Sequence, residues 1–166
     1  MGTIGFEMEG SQGREKLMTR ISVVALLLLG CSAQAQSDAK ILDAIGQVES
    51  GMDRKARGDS GKAYGPYQMH RESWTQGNRQ LEAEGLRTYA LTSWRDATAQ
   101  DMVALAYLRW LRTRFRVEGY SHPTPAQIAL AWNLGFEGAS RLNFNCDNAP
   151  EARRSHCERV ANFSIR

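Results

Sequence analysis

The sequence predicts a mainly α-helical, single-domain protein with a small β element. Apolar residues recur at helical spacing along most of the chain, and the longest such stretch covers residues 97–115. Residues 52–66 interrupt this pattern because they are rich in Gly, Asp and Lys, and they predict a loop or small hairpin that turns at Asp59 to Gly61. The 166 − 36 = 130 residues after the N-terminal segment suffice for one hydrophobic core. We therefore expect one helical domain.

The N-terminal residues 1–36 are predicted to be a leader that is separate from the domain at residues 37–166. A basic start precedes the apolar run 21–29, which has the length of a secretory h-region and is too short to span a membrane. Two processing routes remain open: cleavage before Gln36, after the tripeptide AQA, or acylation of Cys31 in LLGC, as in a lipoprotein. Either route predicts an exported protein that is periplasmic, anchored to the outer membrane or secreted.

The net charge of the domain does not by itself select a partner. Residues 37–166 hold 21 − 3 = 18 Lys and Arg and 18 − 3 = 15 Asp and Glu, hence 18 − 15 = +3. This small excess suits an anionic polymer and is also common among soluble proteins. No aromatic stacking platform accompanies the arginines of the longest predicted helix, which are expected on its solvent side: Arg109, Arg112, Arg114 and Arg116. A nucleic-acid partner is therefore not expected.

Capping residues and stop signals divide the helical pattern into five predicted helices. They cover residues 38–50, 67–80, 97–115, 125–134 and 151–162. The fourth helix has the clearest start, because Thr124 is a good N-cap and Pro125 suits the first helical position. This helix is apolar nearly all round, which predicts that it is the central helix of the domain.

The first predicted helix places a carboxylate on its apolar side. At about 100° per residue, Glu49 falls on the arc formed by Ile41, Leu42, Ile45 and Val48. Burial removes hydration and the helix C-terminus presents the negative end of its dipole, so both effects favour the protonated acid. A carboxyl that stays protonated near neutral pH is what a general acid requires. The alternative is that Glu49 points into solvent at a frayed helix end.

The two cysteines of the predicted domain, Cys146 and Cys157, are expected to form a disulfide, because an exported chain meets oxidising conditions. The bridge would fasten the last helix to the preceding loop. The alternative is a zinc site that also uses His156, but neither a CxxC nor an HExxH spacing is present, and His70 and His122 stand alone. We expect no metal and no organic cofactor.

Three short motifs follow one another along the predicted domain. Glu49-Ser50 comes first, followed by GPYQ at residues 65–68 and AWN at residues 131–133. This order resembles that of the soluble lytic transglycosylases and their lysozyme-like relatives. The resemblance covers residues 38–143 and implies a lysozyme-like fold and cleavage of peptidoglycan. Each motif alone is weak evidence, whereas three in the family's order are far more specific.

The resemblance implies a role for each matching residue. Glu49 is expected to be the catalytic acid and base, and Asn133 to order the floor of the active site. The residues expected to position or contact the saccharide are Ser50, Gly65, Tyr67, Gln68 and Trp132. Four of them have a purely structural alternative: a helix-end residue for Ser50, a turn glycine for Gly65, a surface amide for Gln68 and a core side chain for Trp132. The family usually has tyrosine where Trp132 stands, and an indole has no hydroxyl to accept or relay a proton.

The leading functional prediction from this resemblance is a lytic transglycosylase. It would cleave the β-1,4 bond between N-acetylmuramic acid and N-acetylglucosamine and form 1,6-anhydro ends without water. GPYQM and WNLGFEG also resemble invertebrate-type lysozymes, which hydrolyse the same bond with a second carboxylate. Asp59 is the candidate for that carboxylate, although most turn aspartates are only turn formers. A non-catalytic wall-binding module is the third possibility. Peptidoglycan is the expected partner, and a monomer is expected.

Overall fold

Residues 37–165, the part of the chain that the computed structural model describes, contain six α-helices and one two-stranded sheet, joined by turns and short 3-10 helices. The helices are α1 (37–50), α2 (Arg71–Ala83), α3 (Ala97–Val117), α4 (Pro125–Leu134), α5 (Phe136–Ser140) and α6 (Glu151–Ser164). The strands are β1 (Arg57–Gly58) and β2 (Ala63–Tyr64). The predicted mainly helical class, in a single compact domain, is confirmed.

The N-terminal leader, with Cys31 and Gln36, lies outside the described residues, so its prediction stays a prediction. None of the helices within residues 37–165 combines the length and the apolar composition needed to cross a bilayer. The described chain is already helical at residue 37. Helix α1 ends where predicted, because Gly51 takes a positive φ of 63° and its N–H bonds to the Gln47 carbonyl at 3.1 Å.

The predicted hairpin is present between α1 and α2. Its two strands are antiparallel, with Arg57 opposite Tyr64. A short 3-10 turn at Asp59–Gly61 joins them, and Asp59 and Ser60 have positive φ values of 48° and 54° within it. Aspartate tolerates this left-handed backbone better than most side chains, which explains why a polar turn was readable from the sequence.

Helix α2 begins later than its apolar pattern predicted. The chain first turns back on the hairpin, where Gln68 has a φ of 46° and Met69 pairs with Tyr64 in an isolated bridge. Gly77 lies within this helix and packs against α3. A Cβ at Gly77 would sit 2.5 Å from the carbonyl oxygen of Val103, so the glycine permits the close approach of the two helices.

Helix α4 is central, as predicted, and contacts α3, α5 and α6. Thr124 and Gln127 form a capping box: the Gln127 N–H donates to Thr124 Oγ1 at 3.2 Å, and the Thr124 N–H donates to Gln127 Oε1 at 2.9 Å. The middle of α4 is fully buried in the core. Gly135 ends it with a φ of 72°, and the short helix α5 follows, which is too brief to show a periodic pattern and was not predicted.

Three of the four arginines on α3 do more than face solvent, contrary to the sequence prediction. Arg112 pairs with Asp38 of α1, and their side chains are only 15% and 7% exposed. Arg109 pairs with Glu84, and Arg114 pairs with Glu137 of α5. The sequence could not show these pairs because the acidic partners lie far along the chain and meet α3 only after folding.

Candidate active site

A cavity of about 450 Å³ lies at the C-terminal end of α1. The hairpin, the turn before α2, the end of α4 and the start of α6 complete its wall. The lining residues are Glu49, Asp59, Ala63, Gln68, His70, Trp132, Asn133 and Arg153. Five of the eight predicted catalytic or saccharide-contacting residues are therefore brought together here.

Glu49 lies in the last turn of α1 and is turned toward the domain interior. Its side chain is 15% exposed, one turn beyond the fully buried Ile45. Burial raises the pKa of Glu49 from 4.5 to about 7, against the opposing effects of Arg153, Arg159 and a hydrogen bond with Asn133. The alternative of a solvent-facing glutamate is excluded, and the carboxyl holds its proton over the acidic half of the pH range.

His156 of α6 is the nearest titratable neighbour of Glu49. Its Nε2 atom lies 3.6 Å from Glu49 Oε1, is buried and has no hydrogen-bond partner. Burial, followed by the charges of Arg159 and Arg153, lowers the pKa of His156 to about 4. Between pH 4 and 7 both side chains are therefore neutral, so the contact is not an ion pair even though its distance would suit one.

Asn133 and Arg153 approach the same carboxyl from α4 and α6. Arg153 Nη1 donates a hydrogen bond to Asn133 Oδ1. This occupies the amide oxygen and leaves the amide NH₂ for the hydrogen bond with Glu49. Both residues favour the ionised carboxylate, so they limit how far burial raises the pKa of Glu49.

Gln68 lines the cavity through a strained but well-fixed turn. Its Nε2 donates to the Gly65 carbonyl at 2.8 Å, which holds the side chain against its own turn. The carboxamide lies over Gly58 of β1, where a Cβ would collide with Gln68 Oε1. Glycine at position 58 thus makes room for the amide at the cavity wall.

Asp59 enters the cavity from the hairpin turn. Its Oδ2 lies 3.5 Å from His70 Nε2, and the two side chains are 63% and 44% exposed. The pair therefore forms the solvent-exposed side of the cavity, whereas Glu49 forms the less exposed side. A second carboxylate is present in the same cavity, as the hydrolytic alternative requires.

Trp132 belongs both to the cavity wall and to the core. Its ring is 8% exposed and packs edge-on against Tyr107, with ring centres 5.1 Å apart. The indole N–H donates to the Tyr67 carbonyl at 3.1 Å. The polar atom of this side chain is thus used by the backbone rather than by Glu49, in agreement with the expectation that tryptophan supplies no relay here.

Ser50 and Gly65 were expected at the saccharide but do not line the cavity. Ser50 Oγ donates to the Pro66 carbonyl at 2.9 Å and so ties the end of α1 to the turn before α2. Gly65 has a φ of 70°, and a Cβ there would meet Gln100 Nε2 at 2.7 Å. Both residues shape the turn that presents Gln68, and their predicted part in binding the saccharide stays a prediction.

Tyr67 also faces away from the cavity. Its hydroxyl donates to Asp101 Oδ1 at 2.9 Å, and Arg54 pairs with the same carboxylate at 3.0 Å. Burial and the neighbouring Asp101 raise the pKa of Tyr67, which keeps the phenol protonated. The side chain anchors the turn to α3, and its predicted contact with the saccharide stays a prediction.

Three residues of the site were missed by sequence reasoning: His70, Arg153 and His156. Arg153 and His156 lie three positions apart on α6 and therefore share one face of that helix. This spacing was visible in the sequence, but nothing local indicated that the face would meet α1. Only the packing of α6 on α4 brings it to Glu49.

Cys146 and Cys157 are free thiols in the structure, so the predicted disulfide is not formed there. Cys146 Sγ donates to the Ala126 carbonyl at 3.5 Å, and burial raises the pKa of both thiols. A bond between them requires an oxidant, and its formation in an exported protein stays a prediction. Within residues 37–165, no group of three or more His, Cys, Asp and Glu side chains is arranged to hold a metal ion.

The comparisons with known proteins add no assignment to this geometry. No protein-family model matches the chain, and neither the curated proteins nor the solved structures provide a significant match to it. What the cavity itself presents is one buried carboxyl with a pKa near neutrality, one exposed carboxyl, two amides and one arginine. These groups suit proton transfer to and from a polar ligand.

Proposed function

We propose that the protein is a peptidoglycan lytic transglycosylase with a lysozyme-like fold, and that Glu49 is its general acid and base. The observation that supports this proposal best is the convergence of three sequence motifs in one cavity. Glu49, Gln68 and Asn133 come from those separate motifs and line the same wall. The motifs resemble the family in their order, and the cavity supplies the spatial relationship that the family chemistry needs.

In the first step Glu49 donates its proton to the glycosidic oxygen. A pKa of about 7 leaves the carboxyl protonated below neutrality, so it can supply that proton. The bond between muramic C1 and the glycosidic oxygen breaks, and its electrons go to the oxygen. The N-acetylglucosamine residue leaves with that oxygen as its hydroxyl group. An oxocarbenium-like charge develops on the muramic ring. The carboxylate now present on Glu49 stabilises that charge.

In the second step the same carboxylate removes the proton from the muramic C6 hydroxyl. The O6 atom forms a bond to C1, which closes the 1,6-anhydro ring, and Glu49 is protonated again. No water is consumed. One group can serve in both directions because its pKa lies near the working pH.

Asn133 and Arg153 are positioning residues in this scheme. Their hydrogen bond and positive charge favour the ionised Glu49 that exists between the two steps. His156 stays neutral near pH 7, so it adds no further positive charge that would lower the pKa of Glu49. Gln68 and Trp132, which both line the cavity, are proposed to contact the saccharide.

A hydrolase is the second candidate, because Asp59 lines the same cavity as Glu49. In that reaction Glu49 again protonates the leaving oxygen, but Asp59 assists a water molecule that attacks C1. The product is a reducing muramic end rather than an anhydro ring. The exposure of Asp59 is compatible with a bound water, so the product decides between the two reactions.

Mass spectrometry of digested peptidoglycan tests the proposal. We expect 1,6-anhydromuropeptides from the unaltered protein and from Asp59→Asn, and none from Glu49→Gln. The matched control is Glu82→Gln, which changes an exposed glutamate of α2 and should retain activity. Reducing-end products alone, lost in Asp59→Asn, would instead assign a hydrolase. Release of fragments by Glu49→Gln at the unaltered rate would remove Glu49 from the mechanism, whereas binding of peptidoglycan by the unaltered protein without any release of fragments would indicate a wall-binding module.

A further inference from the structure

A second and larger depression lies on the outer side of α2. It measures about 670 Å³ and is lined by residues of α2, α3, the end of α4 and α5. Four arginines contribute to it, and we call it the arginine groove: Arg71, Arg79, Arg114 and Arg141. The proposed glycan chemistry at Glu49 uses none of them.

Most of the positive charge in the arginine groove is not neutralised. Arg114 pairs with Glu137 at 3.0 Å, but the other three arginines are exposed and form no ion pair within the described part of the chain. Glu72 is the other acidic residue that lines the groove. Three unpaired arginines against one glutamate leave an excess of 3 − 1 = +2.

Aromatic side chains form the floor beneath this charge. Tyr107 stacks on Trp110, with ring centres 5.5 Å apart and an angle of 15° between the planes. Phe136 meets Trp110 edge-on at 6.2 Å, and the Arg114 guanidinium lies 4.7 Å above the Phe136 ring. The groove therefore suits a ligand that is partly apolar and carries carboxylates, since a guanidinium can bind a carboxylate through two parallel hydrogen bonds.

The arginine groove adjoins the cavity at two points of the chain. His70 lines the cavity and the next residue, Arg71, lines the groove. Asn133 lines the cavity and the next residue, Leu134, lines the groove. Consecutive Cα atoms are about 3.8 Å apart, so the two depressions share their boundary in the chain at these two points.

We propose that the arginine groove binds the carboxylates of the peptide stem attached to the muramic acid at Glu49. This inference rests on the proposed function, because Glu49 can act only if a muramic C1 lies in the cavity. The stem leaves that same sugar through its lactyl group, so it must emerge beside the cavity. Its free carboxylates match the unpaired arginines, and its alanine methyl groups match the aromatic floor.

Calorimetric and NMR titration of the whole chain tests this assignment with two synthetic stem tetrapeptides. One peptide keeps its free carboxylates, and in the other every carboxylate is amidated. We expect the free-acid peptide to bind about tenfold or more tightly than the amidated one, as for hydrogen bonds to charged groups. Arg79→Gln/Arg141→Gln should weaken binding of the free acid about tenfold. The control Arg116→Gln, an exposed arginine of α3 outside the groove, should bind it normally.

Equal binding of the two peptides, unchanged binding by the double variant, or no binding at millimolar peptide would overturn the inference. Tighter binding of a short single-stranded oligonucleotide, lost in the same double variant, would overturn it in favour of a nucleic-acid site. Failure of the proposed function gives a different result. In that case peptidoglycan stays intact while the groove still distinguishes the free acid from the amide. Cleavage of peptide-free glycan by a protein that binds neither peptide would refute only the groove.

Discussion

The cavity and the arginine groove are both lined by charged side chains, but these side chains differ in their exposure and in whether they are ionised. At the cavity, the Glu49 side chain is only 15% exposed and the adjacent His156 is buried, and both are neutral between pH 4 and 7. In the groove, Arg71, Arg79 and Arg141 are exposed and keep their charge. Burial converts a carboxylate into a proton donor, whereas exposure preserves a cation for binding.

The number of charged residues around a depression therefore does not predict its chemistry. A carboxyl acquires a pKa near 7 only when the surrounding protein replaces its water. An arginine stays charged in either setting, so its placement decides whether it pairs internally, as Arg112 does with Asp38, or is left for a ligand. Chemistry is expected in the cavity and recognition in the groove.

The largest effect that separates the two regions is expected from Glu49→Gln. Loss of the proton donor should lower the rate of peptidoglycan cleavage about 10³-fold, while binding of the free-acid stem peptide in the groove stays unchanged. Rates of muropeptide release and peptide titration measure the two effects on one protein preparation. A parallel loss of peptide binding would show that the regions are not separate.

The next effect concerns stability, and it distinguishes the two buried groups of the cavity. The raised pKa of Glu49 makes the folded state less stable as pH rises from 4.5 to 7, because the unfolded chain ionises first. The lowered pKa of His156 makes the folded state more stable as pH rises from 4 to 6.5, because the unfolded chain holds the proton longer. The shifts are 7 − 4.5 = 2.5 and 6.5 − 4 = 2.5 pH units, so they nearly cancel.

Single variants should expose these opposing contributions. As pH rises through the range where the two effects overlap, the free energy of unfolding of His156→Gln should fall relative to that of Glu49→Gln. Each group contributes at most about 3 kcal/mol to this difference. Urea unfolding at several pH values measures both curves, and subtracting one from the other removes the other titrating groups. Parallel curves for the two variants would contradict the neutral pair.

Salt should affect the groove more than the cavity. Raising salt from about 0.1 M to about 1 M shortens the Debye length from about 10 Å to about 3 Å. Binding of the free-acid peptide to exposed arginines should weaken several-fold, and binding of the amidated peptide should change little. The alkaline limb of the activity profile, near pH 7, should move much less because Glu49 is buried. A limb that shifts as strongly as peptide binding would place Glu49 in solvent.

The smallest effect is a change in that alkaline limb on removing Arg153. Arg153 favours ionised Glu49, so Arg153→Gln should raise the pKa of Glu49 and move the limb to higher pH. Arg153→Lys keeps the charge and should restore most of the original profile. Arg154→Gln is the matched control, because Arg154 is the next residue of α6 and pairs with Glu151 instead. An unmoved limb in Arg153→Gln would show that the arginine has no electrostatic role in the site.

Local rules account for the elements that were readable from the sequence. The capping box at Thr124, the polar turn at Asp59 and the glycine stop at Gly51 each act within a few residues, so their residue types are sufficient evidence. The start of α2 was placed too early because an apolar pattern continues through the turn at Gln68. There the backbone is fixed by pairing with β2, which no local pattern records.

The candidate site shows the same division. Helical spacing predicted the position of Glu49, and motifs predicted Gln68 and Asn133, all of which line the cavity, whereas Ser50, Gly65 and Tyr67 make their hydrogen bonds and close contacts in the neighbouring turn. Motif membership identifies residues that a site requires without distinguishing contact from support. That distinction depends on which neighbour each side chain meets, and those neighbours are tertiary.

The sequence by itself determined that Glu49 lies on the apolar arc at the end of a helix, since periodicity and a glycine stop are local properties. The depth at which the carboxyl is buried, and the groups that oppose the effect of that burial on its pKa, depend on how the helices pack. Asn133 on α4 and Arg153 and His156 on α6 reach Glu49 through packing across the domain. The pKa depends on that packing because desolvation and Coulomb interactions act through space, not along the chain.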